Sequence, residues 1–339
     1  MNTAPYISVV VPVRNGSEYI AKCLNALLDS SYENFEVIVA DDASDDNTQE
    51  VSGQTGAKVI ALDRQSGPAA ARNRGAENAR GDVVLFIDAD VVVEQDTLEC
   101  IARAFVENPD ISAVFGSYDD TPEAPDFISQ YRNLLHHYVH QRANRDAKTF
   151  WTGCGAIRKE IFDDLGGFDE VRHPVPSMED IEIGLRMSEM GYKIILDKNI
   201  QVKHLKHWRL YSLIKTDILH RAVPWSKLIL ERNTLPRDLN LKFTDRICTA
   251  LVGLIIISAV VYLLELLTPV HIIPNNILLP LIVILFAAVI ILNRDLYLFF
   301  YRKRGLRFAL LSIPMHLLFY IYSGVTFAVF WIRSKIPLF

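Results

Sequence analysis

VVLFIDADVVVE, Val83 to Glu94, places two aspartates two residues apart in a run that is otherwise apolar and mostly β-branched. Alternate residues of an extended strand share a face, so Asp88 and Asp90 at a strand's end aim both carboxylates the same way. Carboxylates aimed together can hold a cation; the alternative is a pair of solvated acids at a turn.

The surrounding sequence weighs on that choice. The 339 residues are enough for one large domain or two smaller ones, each with a full core. A formal net charge of -5 leaves no overall basic field, which argues against nucleic acid as a partner. In the first half, short apolar runs alternate with helical patterns. Strands are predicted at 7–13, 35–41, 58–61, 83–87 and 113–118, with helices near 18–28 and 69–79. That is the rhythm of a parallel, three-layer α/β domain. Open α/β sheets bind ligands beyond the carboxyl ends of their strands. PVRNG follows the first strand, DDASDD the second and DAD the fourth, so acids gather at one rim.

The apolar run at 7–13 is too short for a signal-peptide core and has no basic lead or cleavage site; it reads as a buried strand. Cys23, Cys100, Cys154 and Cys248 form no C-x-x-C pair, so neither a zinc ribbon nor a disulfide framework is indicated, and a reduced, cytosolic setting is expected.

Beyond Glu231 the composition changes. Residues 247–267 and 308–332 are apolar spans of bilayer-crossing length, and 277–292 is a shorter one between them. Arg237, Lys242 and Arg246 precede the first span; Arg302, Lys303, Arg304 and Arg307 separate the second from the third. The intervening loop has no Lys or Arg, which predicts a multi-pass protein of the cell inner membrane or plasma membrane with its catalytic domain cytosolic. Arg333 and Lys335 then fall outside by parity, against the bias, unless one segment is re-entrant. Residues 208–245 join the two parts. Tryptophans, bases and leucines at helical spacing predict interfacial helices there, a core-facing amphipathic helix being the alternative.

Taken together, the motifs resemble glycosyltransferase family 2, in its membrane-attached members with the GT-A fold, over about residues 7 to 232. VVVPVRNG looks like the family's first strand and turn, placing Pro12 and Asn15 on the donor side. VADDASDDNT looks like its acidic turn, which implies that Asp41 or Asp42 hydrogen-bonds the base or ribose of a nucleotide-diphosphate sugar. A carboxylate suits that task because it accepts from N–H and hydroxyl groups; by itself the turn reads as a helix cap. SGPAAARNRG, 66 to 75, matches the segment that opens the next helix. Gly67 lets the backbone approach a ligand, and Arg72 with the helix N-terminus offers positive potential to a diphosphate.

The resemblance also implies that Asp90 is the direct ligand of Mg2+ or Mn2+, with Asp88 a ribose or metal contact and His204 a further metal or diphosphate contact, a structural histidine being the alternative for the last. A departing nucleoside diphosphate develops negative charge that a hard divalent ion stabilises. FWTGCGAIRKE, 150 to 160, resembles an acceptor-side loop. There Trp151 stacks on a sugar face, and Gly153 and Gly155 make room for it or serve tight turns. SMEDIEIGLRM, 177 to 187, matches the family's Glu-Asp motif. It nominates Asp180 as the base that takes the acceptor's proton and Glu179 as its neighbour positioning the acceptor. Acids at a helix start are also favoured by the dipole alone. RAVPW, 221 to 225, has the spacing of the processive synthases' Gln-x-x-Arg-Trp motif but lacks its Gln and the Arg before the tryptophan. Trp225 is therefore read as acceptor-side in a single transfer. His136 and His140, four apart on one helix face, read as polar or acceptor-facing rather than as a metalloprotease motif, since no Glu follows.

The expectation is a membrane-anchored inverting glycosyltransferase with a UDP-sugar favoured as donor and a lipid or lipid-linked glycan as acceptor. A polyprenyl-phosphate glycosyltransferase is the alternative within the family, and a catalytically silent membrane scaffold the alternative outside it.

Overall fold

Val9 and Val11 point to one side of the first strand and Val10 to the other, and all three are fully buried, so this strand runs between two helical layers. A computed structural model describes residues 4–232, 243–268 and 275–335. Arg237, Lys242 and most of the loop predicted between the first two spans lie outside the described residues. The chain divides into two compact units, Met1–Arg209 and Leu210–Phe339.

In the first unit the strands are β1 (Ile7–Val13), β2 (Phe35–Asp41), β3 (Lys58–Ala61), β4 (Val83–Ile87), β5 (Val91–Val93), β6 (Ile111–Tyr118), β7 (Asp146–Ala147), β8 (Cys154–Arg158) and β9 (Lys193–His204). They form one sheet in the order β3-β2-β1-β4-β8-β6-β9-β5, with β7 added against β9. The helices are α1 (Ile20–Leu28), α2 (Thr48–Gln54), α3 (Pro68–Glu77), α4 (Thr97–Glu107), α5 (Phe127–Arg142), α6 (Lys159–Asp164) and α7 (Glu179–Glu189).

The odd residues of β1 pack with Cys23, Leu24 and Leu27 of α1 and with Leu98, Ile101 and Phe105 of α4. On the opposite face α3 lies so close that a Cβ on Gly75 would stand 2.3 Å from Val10 Cγ1. Phe86 there meets the rings of Phe162 and Phe168 at 5.4 and 5.2 Å. Two helical layers around one sheet give the expected three-layer α/β domain.

The sheet is mixed, which corrects the expectation of parallel strands. β1 pairs parallel with β2 and β4, but β8 runs antiparallel to both β4 and β6. FWTGCGAIRKE supplies that strand. The chain enters it from a loop rather than through a crossover helix, so parallel pairing is not imposed.

The second unit begins with α8 (Leu210–Asp217), a π-helical turn at Ile218–Ala222 and α9 (Val223–Arg232). Its long helices are α10 (Phe243–Leu267), α11 (Asn275–Leu292), α12 (Arg294–Arg304) and α13 (Leu306–Lys335). Among the described residues, α10 and α13 are long and apolar enough to cross a membrane, with mean hydropathy 2.7 and 1.6 in their apolar windows. A third crossing is present if α11 and α12, bent by 64° at Asn293, act as one broken span. Gly324 brings α13 against α10, where a Cβ would stand 2.7 Å from Thr249 Cγ2. Tyr320 donates to Asn293 Oδ1 at 3.0 Å, and Tyr297 and His316 pair at 3.2 Å, so these polar groups are satisfied within the bundle.

Candidate active site

Three chain segments bring two pairs of predicted acids and Arg72 together at the carboxyl rim of the sheet. β4 ends at Ile87, and the turn that follows presents Asp88 and Asp90 before β5 re-enters the core through Val91. α3 carries Arg72, 5% exposed, which donates from Nη2 to Asp88 Oδ1 at 2.9 Å and from Nη1 to Glu179 Oε1 at 2.8 Å. α7 starts at Glu179, so Asp180 sits in its first turn.

The buried guanidinium thus joins Asp88 to the Glu-Asp motif. Glu179 is 5% exposed, and its second oxygen accepts from the Ser177 amide at 3.0 Å. Both of its oxygens are therefore engaged in holding Arg72 and the entry to α7. That differs from the expectation that Glu179 positions an acceptor.

Asp180 accepts from the Ile181 amide at 2.8 Å, and the Thr152 amide lies 3.5 Å from its other oxygen. Burial, then the negative charge of Glu179, push its carboxyl up to about 7, with Arg72 acting in the opposite direction. A carboxylate poised there exchanges a proton near neutral pH. Asp88 is also raised, by burial first and by Asp90 among the charges, against the pull of Arg72. Burial would raise Asp90 too, but His204 and Lys206 outweigh it and hold Asp90 below the ordinary carboxylate value.

Asp90 and His204 meet through sheet register. β5 runs antiparallel to the end of β9 with Val91 opposite His204, and Leu205 donates its amide to the Asp90 carbonyl at 2.8 Å. His204 Nε2 then lies 3.5 Å from Asp90 Oδ2. A bulge in the β6–β9 ladder, between the pairs Phe115–Leu196 and Ser117–Gln201, sets this register. It needs Gly116, because a Cβ there would stand 2.3 Å from the Ile200 carbonyl oxygen.

Among the described residues no group of three or more His, Cys, Asp or Glu side chains converges on a point. Mg2+ keeps several waters and is held by one or two carboxylates plus substrate phosphates, so a site built on Asp90 and His204 fits such an ion and an all-protein cage is not required.

The acidic turn after β2 is used internally. Asp41 is fully buried and accepts from the Ser44 amide at 3.1 Å, from Gln49 Nε2 at 2.7 Å and from the Ser44 hydroxyl. Asp42 accepts from the Ser66 and Gly67 amides at 2.6 and 2.9 Å, tying the turn to the start of α3. Gly67 caps α3 with φ +93°, and a Cβ would stand 2.4 Å from the Pro174 carbonyl oxygen, so the loop before α7 lies against it. Asn15, at φ 50°, accepts on its side-chain oxygen from the Asp45 amide at 2.8 Å and donates its own backbone amide to the Ser44 hydroxyl oxygen at 2.9 Å. Pro12 is buried in β1 opposite Ala40 of β2.

Gly153 and Gly155 leave room for the protein's own rings rather than for a ligand. A Cβ at Gly153 would meet Trp151 Cζ2 at 2.2 Å, and one at Gly155 the Trp151 carbonyl at 2.2 Å and Phe150 Cζ at 2.5 Å. Trp151 itself packs edge-on against Tyr118 at 4.9 Å and His140 at 5.3 Å. Trp225 belongs to α9 in the second unit. Cys23 and Cys154 are buried, and burial pushes the Cys154 thiol up to about 12, so it is no nucleophile; Cys100 on α4 is half-buried. Sequence reasoning missed Tyr118 and Lys206. Tyr118 ends a strand that the sequence does predict, and that placement was the available signal.

A sheet in this order, with an acid pair, a buried guanidinium and a second helix-borne acid at one rim, defines a domain of the GT-A type. The model of the family described as glycosyl transferase family 2 matches residues 8–166, and that stretch of the chain belongs to the family. Asp88, Asp90 and Arg72 lie inside the matched stretch; Asp180 and His204 lie beyond it.

Glycosyltransferase AglE of Haloferax volcanii is 29% identical over 203 residues, 57% of this chain and 64% of that protein. Glycosyltransferase GlyG of Streptococcus pneumoniae is 31% identical over 123 residues, 35% of this chain and 40% of that protein. The chain thus spans less than two thirds of either relative. The mannosyltransferase PcManGT of Pyrobaculum calidifontis, solved with GDP-Man and Mn2+, shares the fold with a TM-score of 0.59 at 20% identity, over 99% of this chain and 89% of its own.

Proposed function

We propose that the chain is a membrane-anchored glycosyltransferase that moves a sugar, with inversion, from a nucleotide-diphosphate sugar to a lipid or lipid-linked acceptor on the cytosolic face. The observation that carries the reading is Asp180, a carboxyl lifted to about 7 and joined through Glu179 and Arg72 to Asp88 at the donor rim. Asp180 accepts the proton of the acceptor hydroxyl while that oxygen attacks the anomeric carbon. The bond from that carbon to the diphosphate breaks, and its electron pair leaves on the phosphate oxygen.

Asp90 and His204 would hold a divalent ion, Mg2+ or Mn2+, which when bound would supply positive charge to the departing diphosphate. Arg72 keeps Asp88 oriented and offsets its charge. Asp41, Asp42 and Asn15 fix the turn on which the nucleoside rests and Asp42 fixes the start of α3; this makes them shapers of the donor pocket through the protein's own hydrogen bonds. Support for a membrane-borne acceptor comes from α10 and α13 and from the basic end of α12, where Arg302, Lys303 and Arg304 are exposed.

The test is incubation of the full chain in detergent or vesicles with a panel of nucleotide sugars and Mn2+, followed by mass spectrometry of lipid extracts. Sugar-bearing lipid formed by the wild type and not by Asp180→Asn supports the proposal. No transfer or hydrolysis of any donor overturns it.

A further inference from the structure

Tyr118 ends β6, and no step proposed above uses it. Its ring lies parallel to the His204 imidazole, with centroids 4.3 Å apart and planes 15° from each other. Other aromatic groups confine the same ring: His136 at 4.5 Å and Trp151, edge-on, at 4.9 Å. His136 is itself 4.0 Å from the ring of His140, whose Nδ1 meets the Gly116 carbonyl at 3.1 Å. The Tyr118 carbonyl meets His137 Nδ1 at 2.8 Å. Helix α5 therefore fixes both the backbone and the ring of Tyr118.

The backbone of His204 is already set by its pairing with Val91. The imidazole retains two side-chain torsions, and the second of these, at an sp3–sp2 bond, is broad and weakly held by intrinsic preference. A ring stacked on the imidazole restricts that torsion. We propose that Tyr118 is a positioning residue which, by stacking on His204, holds the imidazole in the plane where Nε2 and Asp90 Oδ2 face one divalent cation. The inference rests on the reading of Asp90 and His204 as the metal-binding pair. Groups that orient a metal-ligating histidine typically change metal affinity by about 10- to 100-fold when removed. The stack needs the ring and not the hydroxyl, so phenylalanine serves and leucine does not.

The experiment measures Mn2+ binding directly, by electron paramagnetic resonance of the full chain titrated with Mn2+ in the presence of UDP or GDP. Tyr118→Phe is expected to stay within about twofold of the wild type and Tyr118→Leu to weaken binding about tenfold. In a His204→Ala background, Tyr118→Leu adds no further loss, which separates positioning from general loosening of the fold. Wild-type affinity in Tyr118→Leu, equal losses in the Phe and Leu variants, or a full additional loss in the His204→Ala background overturns the inference. Unchanged Mn2+ binding in His204→Ala itself overturns the underlying reading of the pair, a result distinct from failure of the Tyr118 variants alone.

Discussion

Arg72 holds Glu179 at 2.8 Å while both are buried, so the acid preceding the candidate base is bound to the helix whose arginine also holds Asp88. Removing one partner of a buried pair strands the other charge, at a cost of about 3–5 kcal/mol. Arg72→Ala and Glu179→Ala should each lower the melting temperature of the full chain strongly. The double variant should lose less than the sum, by a coupling of about 0.5–3 kcal/mol. Additive losses in a double-mutant cycle would show the contact to be incidental.

The rate should depend on the ionisation of Asp180. A base must be deprotonated to act, and burial with Glu179 lifts this carboxyl to about 7, so the rate should rise with pH and level off above that value. Asp180→Asn should lower kcat by about 100- to 10,000-fold and remove the ascending limb. Neutralising the neighbour by Glu179→Gln should move the ascending limb to lower pH, because a charge that raises Asp180 is gone. A limb that stays in place in that variant would assign the titration to another group.

Chelation of divalent ions should abolish transfer, and Mg2+ or Mn2+ should restore it. Asp90→Asn and His204→Ala should each raise the metal concentration needed for half-maximal rate, by about tenfold or more. A metal dependence identical to the wild type in both variants would place the ion elsewhere.

Gly116→Ala probes the bulge rather than the acids. Its new methyl would stand 2.3 Å from the Ile200 carbonyl oxygen, so the β6–β9 crossing must shift. Overpacking of this kind costs about 1–3 kcal/mol. The variant should lose stability together with metal affinity, since the crossing sets the register of His204 against Val91. Loss of stability with metal affinity intact would uncouple the bulge from the site.

The sequence made the acid pair at the rim readable because its signals are local. A continuous apolar run, Val83 to Ile87, ends in Asp88 and Asp90, and the strands at 7–13, 35–41, 58–61 and 83–87 agree with β1 to β4. β8 was hidden because the glycines of FWTGCGAIRKE read as a loop, yet Gly155 pairs with both Phe86 and Phe115 inside the sheet. β9 was hidden by its own bulge, which interrupts the alternation across Lys193–His204. The Asp90–His204 contact depends on strand register between distant segments, and no short-range pattern encodes it. The motif pointed to Asp180, but its elevated carboxyl arises from burial and from Glu179 and so appears only in the folded chain. Gly153 was read as making room for a sugar or serving a tight turn, and its closeness to the Trp151 ring is likewise displayed only by the folded chain.

Of the four cysteines, Cys23, Cys154 and Cys248 are buried and Cys100 alone is partly exposed. Its thiol, raised by burial, is slow to ionise at neutral pH, so labelling calls for mildly alkaline buffer. An alkylating fluorophore or spin label would then mark α4 alone in the native sequence. Motion within this domain during turnover can be followed from that single reporter without engineering any other residue.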